Sequence, residues 1–85
     1  MIDFEPINKL LDDIMTDRSV PKNIRTSVES ARAGLNNKKE ELDVRINTAI
    51  SILDEVANDP NIPIYTRTLI WNIVSMLETM SKEEK

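Results

Sequence analysis

The sequence has 85 residues, of which 40% are hydrophobic and 31% charged, and its formal net charge is −4. A chain of this length buries only roughly 60% of its unfolded surface, so we expect one domain spanning residues 1–85. It contains no cysteine and no histidine, which excludes disulfides and removes the most common general base and metal ligand; its single glycine and three aromatic residues argue against a β-rich fold.

Apolar residues recur at three- and four-residue spacings in four successive segments of the chain. These spacings predict amphipathic helices near residues 3–17, 21–35, 38–58 and 62–81. The stripes contain Ile7, Leu11 and Ile14; Ile24, Val28 and Leu35; Ile46, Leu53 and Val56; and Ile73, Leu77 and Met80.

The breaks between the segments suggest how the helices begin and end. Pro21 and Pro63 are placed in the first turn of the second and fourth helices, where a missing N–H has little cost. Ser19 and Asn61, two residues earlier, are predicted N-caps.

The middle break is predicted to contain a different pair of signals. Asn36 and Asn37 are suited to a left-handed exit from the second helix. Asn37 followed three residues later by Glu40 resembles a capping box for the third helix.

The chain also repeats itself without a gap. LLDDIMTDRSVPKNIRTSVESARAGL at 10–35 aligns with ILDEVANDPNIPIYTRTLIWNIVSML at 52–77. The aligned pairs include Asp17 with Asp59, Pro21 with Pro63, and Arg25 with Arg67. A period of this size indicates a copied supersecondary unit. We therefore expect one helical hairpin at about 3–35, a second at about 38–81, and a polar tail at 82–85.

Two amphipathic hairpins joined by short links predict an all-α fold. We favour an up-and-down four-helix bundle made of two duplicated helical hairpins, because facing hairpins bury each other's apolar stripes. The alternative is a side-by-side pair of HEAT-like hairpins. It is less favoured, because stacked helical arrays generally need three or more repeats.

A family resemblance rests on AISILDEVANDPNIPIYTRTLIWNIVSMLE together with the upstream SVPKNIR. This sequence resembles the small archaeal proteins grouped as uncharacterised protein family 0147, over nearly the whole chain. The resemblance implies an archaeal source and an all-helical bundle, and it implies no activity.

The paired charged residues have two possible roles. Arg25 and Arg67 could hold anions, or they could fix each hairpin by binding Asp17, Asp59 or the preceding loop carbonyls, and we favour this structural role.

Two matching acidic clusters, Asp12, Asp13 and Asp17 with Asp54, Glu55 and Asp59, could instead bind a divalent cation. We predict no metal, no cofactor and no catalytic residues.

Trp71 is the most informative single residue. On a helical wheel it falls nearly opposite the main stripe of the last helix, with Ile64 one heptad earlier and Val74 beside it. Val44 and Ile52 fall off the main stripe of the third helix.

These five residues are the predicted partner interface, since a large exposed apolar patch usually marks one. The alternative is a skewed core in which Trp71 packs near Met1 and Ile2.

The sequence therefore predicts a small non-enzymatic protein that self-associates through the second hairpin. A homodimer is the simplest form, with another protein partner also possible. The alternatives are a metal- or anion-binding bundle, or an accessory subunit of a larger complex that processes nucleic acid.

Neither half of the chain is basic, so no direct nucleic-acid contact is expected. No apolar run is long enough for a membrane, and MIDFEPINKLL lacks the regions of a secretory signal. We expect a cytoplasmic location.

Overall fold

The computed structural model describes residues 3–83, and four α-helices account for most of them. Their bounds are α1 (Glu5–Met15), α2 (Lys22–Leu35), α3 (Leu42–Ala57) and α4 (Ile64–Glu83). The described residues contain no strand. The all-α prediction is confirmed. The last helix has the expected 20 residues but lies two residues later than predicted, so it takes in residues 82 and 83 of the predicted polar tail, while residues 84 and 85 lie outside the described residues.

The four helices form a closed up-and-down bundle. Each helix packs against the helices before and after it in the chain, and α1 also packs against α4. The contact between α2 and α3 is the most extensive, and that between α1 and α4 is the least extensive. Since α1 has 11 residues and α4 has 20, the α1–α4 seam covers only part of α4.

Every helix contributes to one continuous core. Its most deeply buried large side chains are Ile7, Leu11, Val28, Leu35, Ile46, Leu53, Ile70, Ile73 and Leu77. Non-helical residues close the two ends of this core. Val20 and Ile62, in the first and third turns, are buried together with the helical residues, and so is Phe4 ahead of α1.

All three turns between helices are six residues long and follow the same path. In each, a side-chain oxygen of Asp or Asn accepts a bond from the backbone N–H two residues later, an arrangement typical of these residue types. These bonds run from Ser19 to Asp17 (2.9 Å), from Lys39 to Asn37 (3.1 Å) and from Asn61 to Asp59 (2.8 Å). The same turn therefore occurs three times in the chain: once within each of the two hairpins and once between them.

These turns overturn the predicted helix starts. Ser19 does not cap α2, because its hydroxyl donates to Asp17 (2.6 Å) and Pro21 occupies the N-cap position. Asn61 likewise lies inside its turn, and Pro63 directly precedes α4. Each proline carbonyl accepts the first helical N–H bonds, so the prolines lie just before their helices and not within them.

The middle turn differs from its prediction in a similar way. Asn37 and Glu40 form no capping box, because α3 begins only at Leu42 and Asn37 is used by the turn. No non-glycine residue within 3–83 has a positive φ, so Asn36 and Asn37 do not form a left-handed exit.

Candidate interaction surface

Within residues 3–83, helix α4 carries most of the exposed large hydrophobic side chains, namely Ile64, Tyr65 and Trp71. Ile64 is 78% exposed and Trp71, seven residues later, is 56% exposed. A separation of seven residues is close to two helical turns, so both side chains point to the same side. Thr68 and Ser75, both exposed, continue the same line. We call the residues Ile64, Thr68, Trp71, Ser75, Glu78 and Lys82 the α4 stripe.

The charged end of the α4 stripe is balanced. Glu78 and Lys82 are both exposed and lie four residues apart, one helical turn. The stripe therefore presents one carboxylate and one ammonium group. Two copies of it can approach each other without an excess of like charge.

A shallow depression borders the α4 stripe near its middle. It has a volume of about 380 Å³ and is lined by Ser75, Met76, Thr79 and Met80. Met76 and Met80 are only partly buried, although the sequence pattern placed Met80 in the apolar stripe of the fourth helix. Because α1 is short, these methionines are left partly uncovered. Their unbranched side chains adapt readily to a partner's shape.

The structure does not gather the five predicted interface residues onto one face. Val74 is only 7% exposed and belongs to the core, so it offers a partner almost no area. Ile52 is half-buried and lines a cleft between α2 and α3. Val44 is 42% exposed but lies in the first turn of α3, at the other end of the bundle from Ile64. Ile64 and Trp71 alone share a surface.

The equivalent positions in the first hairpin are polar. Lys22 and Glu29 align with Ile64 and Trp71, and both are exposed. The exposed apolar residues Ile64 and Trp71 therefore distinguish α4 from α2, although both helices have the same place in their hairpins.

The two repeated arginines bind backbone carbonyls in the preceding turn or at the end of the helix before it. Arg67 donates from Nε to the carbonyl of Ala57 (2.9 Å) and from Nη2 to that of Asp59 (3.0 Å). Arg25 donates from Nε to the carbonyl of Val20 (3.2 Å). The sequence suggested that these arginines fix each hairpin by binding Asp17, Asp59 or the preceding carbonyls, and the contacts observed are those to carbonyls.

A third arginine does the same at the middle turn. Arg45 donates from Nε to the carbonyl of Leu35 (2.8 Å), and its guanidinium lies 5.3 Å from the centre of the Phe4 ring. Sequence reasoning missed Arg45 because it compared only the two hairpins. The signal was present: an Asp or Asn precedes each of the three arginines by eight residues, at 17, 37 and 59.

Asp17 joins the first turn to the start of α4. Its carboxylate accepts bonds from the Ser19 hydroxyl (2.6 Å) and from the Tyr65 hydroxyl (2.7 Å). Those two bonds, with a third from the Ser19 backbone N–H, hold the pKa of Asp17 below its ordinary value. The Tyr65 bond is a polar link across the end of the α1–α4 seam.

The acidic residues of the two predicted clusters do not act together. Asp12 pairs with Arg32 of α2, with Oδ1 and Nε 2.9 Å apart. Within residues 3–83, no three acidic side chains converge in a way that could hold a metal ion. Met1 and Ile2, the suggested cover for Trp71, lie outside the described residues. None of the helices described here is long and apolar enough to cross a membrane.

The fold and its surfaces define a small all-helical bundle protein with repeated arginine-bound turns and with Ile64 and Trp71 exposed on the outer face of α4. This chain belongs to the uncharacterised protein family UPF0147, whose model matches residues 3–80. The predicted family resemblance is thus confirmed.

Its relatives are archaeal proteins of the same family. One from Methanothermobacter thermautotrophicus is 52% identical over 77 residues, covering 91% of this chain and 76% of that protein. One from Thermoplasma acidophilum is 44% identical over 79 residues, covering 93% and 90%.

Two crystal structures share the fold. That of the unknown function protein MMP1188 has a TM-score of 0.85 at 49% identity, covering 89% of this chain and 86% of that one. That of a UPF0147 protein from Thermoplasma acidophilum has a TM-score of 0.84 at 43% identity, covering 89% of both chains. The family's biochemical function is uncharacterised.

Proposed function

We propose that this protein is a small, non-enzymatic protein-interaction module that self-associates as a homodimer through the α4 stripe. The observation that supports the proposal is the pairing of Trp71 with Ile64 on one exposed helix face. Tryptophan is the residue type most enriched among interface anchors. The proposal includes a cytoplasmic location, which fits a chain without cysteine.

The exposed indole is large enough to contribute to association. With 56% of Trp71 exposed, about 140 Å² of its surface would leave water on pairing, which corresponds to about 3.5 kcal/mol in each copy. A twofold axis places the same residue on both sides of an interface, so this contribution counts twice. It stands against an association cost of about 4–15 kcal/mol.

The size of the surface limits how tight the dimer can be. Helix α4 has 20 residues and is therefore about 30 Å long, and its outer face is about 10 Å wide. The resulting footprint of about 300 Å² per copy is well below the roughly 800 Å² of a standard interface. Even with the depression at Met76 and Met80, we expect a weak, concentration-dependent dimer.

A variant pair tests the proposal directly. Trp71→Gln removes the anchor, while Val44→Gln removes an exposed apolar side chain of comparable accessibility on α3. Light scattering from about 10 µM to about 1 mM covers the affinity range of a weak dimer. The wild-type protein and Val44→Gln should rise from monomer towards twice the monomer mass, and Trp71→Gln should stay monomeric. Circular dichroism checks that all three remain helical.

Two results would contradict the proposal. A wild-type protein that is monomeric at every concentration does not self-associate, and a red-shifted Trp71 emission would then point to a different protein partner. A dimer that persists in Trp71→Gln uses another surface.

A further inference from the structure

A second concave surface lies between the start of α2 and the end of α3, away from the α4 stripe. It is a cleft of about 240 Å³ with a hydrocarbon floor formed by Ile24, Ile52 and Val56. We call it the α2–α3 cleft. It explains why Ile52 is half-buried although it lies off the main stripe of α3.

The rim of the α2–α3 cleft is rich in oxygen. It is formed by Asn23 and Ser27 of α2 and by Glu55 and Asp59 at the end of α3. The Ser27 hydroxyl donates its hydrogen to the Asn23 carbonyl (3.2 Å), so its oxygen can act towards a further group only as an acceptor. Asp59 uses Oδ1 to accept the Asn61 N–H (2.8 Å), which leaves Oδ2 for another donor.

The electrostatics of this rim favour a cation. Two carboxylates lie at the C-terminal end of α3, where the helix dipole is itself negative, and the last turn of α3 holds no basic residue. Arg67 binds two carbonyls there but does not line the cleft. Within residues 3–83, neither lysine nor arginine contributes to its walls.

We propose that the α2–α3 cleft binds the ammonium end of a short aliphatic amine. The ammonium would donate to Glu55, Asp59 and the Ser27 oxygen, while the first methylene groups rest on the apolar floor. A calcium ion fits the cleft less well, because it takes six to eight oxygen ligands and three of the lining side chains are hydrocarbon. The volume corresponds to about eight water molecules, enough for a chain of five carbons and its nitrogen.

The test uses n-pentylammonium as the probe and 1-pentanol as its uncharged counterpart, at constant ionic strength and pH 7. An alkylammonium is fully protonated there, since its pKa is about 10.4. Backbone amide shifts measured by NMR report binding residue by residue. We expect saturable shifts at Asn23, Ser27 and Glu55 with the amine and not with the alcohol.

Two variants that each remove one negative charge distinguish binding in the cleft from a general attraction of the amine to an acidic protein. Glu55→Gln alters the rim, whereas Asp54→Asn removes one charge from the neighbouring residue outside the cleft. Glu55→Gln should weaken binding about threefold to fivefold, the loss typical of one exposed ion pair, while Asp54→Asn should leave it unchanged.

Asp59→Asn should weaken binding similarly while preserving its turn, since Asn37 makes the equivalent turn contact. Equal effects of Glu55→Gln and Asp54→Asn would overturn the proposal. So would shifts that never saturate, or identical shifts with pentanol. Because the cleft and the α4 stripe are separate, none of these results depends on the dimer.

Discussion

Replacing Arg67 with alanine removes both hydrogen bonds that tie the start of α4 to the end of α3. Both acceptors, the carbonyls of Ala57 and Asp59, lie where α3 has lost its internal partners. A bond from a charged donor contributes about 1.5–3 kcal/mol, and these groups are partly exposed, so we expect a loss of about 2 kcal/mol in the free energy of unfolding. For a domain of this size, that lowers Tm by roughly 8–16 °C.

Comparison with the other two arginines makes this prediction specific. Arg45→Ala loses one bond of 2.8 Å and the contact with the Phe4 ring, so it should cost about 1.5–2 kcal/mol. Arg25→Ala loses a single bond of 3.2 Å, so it should cost less than about 1 kcal/mol. Arg67→Lys is the matched control: it keeps the charge but loses the two-pronged geometry, and should recover about half of the lost stability.

Urea unfolding followed by circular dichroism measures all four variants. The reasoning predicts the largest loss for Arg67→Ala and the smallest for Arg25→Ala. Equal losses for the three alanine variants would refute it, because the hydrogen-bond number and length would then not determine stability. Losses all below about 0.5 kcal/mol would show that these arginines behave as ordinary surface residues.

Two further predictions concern close contacts elsewhere in the bundle. A Cβ added at Gly34 would lie 3.2 Å from Cγ2 of Thr48, which is a tight contact. Gly34→Ala should therefore change the free energy of unfolding little in the wild type. In a Thr48→Ser background, which lacks Cγ2, the same change should stabilise the fold by about 1 kcal/mol, the usual helix preference for alanine over glycine. Equal effects in the two backgrounds, measured by urea unfolding, would contradict this. Tyr65→Phe removes a bond to Asp17, whose folded pKa is held below the ordinary 3.8 mainly by the Ser19 hydroxyl and then by Tyr65. A lowered pKa stabilises the fold above pH 3.8, and that contribution disappears as pH falls through the folded pKa. The stability difference between wild type and Tyr65→Phe should therefore be present at pH 6 and shrink in acid; a difference that grows in acid would contradict it.

The helices and the core were predictable because they depend on local spacing. Residues such as Ile7, Leu53 and Leu77 follow the three- and four-residue rhythm of one buried face, and all three are fully buried. The turns were less predictable, because an Asn side chain can either cap a helix or bond within a turn. The Asn37 side chain bonds within its turn, and α3 therefore begins later than residue 38.

The candidate surface was only partly predictable, because a helical wheel describes one helix alone. It correctly set Trp71 opposite the core, but it could not show that Val74 is buried or that Ile52 lines a cleft with residues of α2. Those outcomes depend on which helix packs beside which, and on the short length of α1. The partly uncovered Met76 and Met80 have the same cause.

The central claim is that the α4 stripe is a self-association surface, and the emission of the single tryptophan tests it most directly. Because Trp71 is the only tryptophan, its spectrum reports that position alone. On dilution from about 1 mM to about 10 µM, the range in which a weak dimer dissociates, the emission maximum should shift to longer wavelength in step with the fall in mass. An emission maximum that stays constant while the mass halves would place Trp71 outside the interface and contradict the claim.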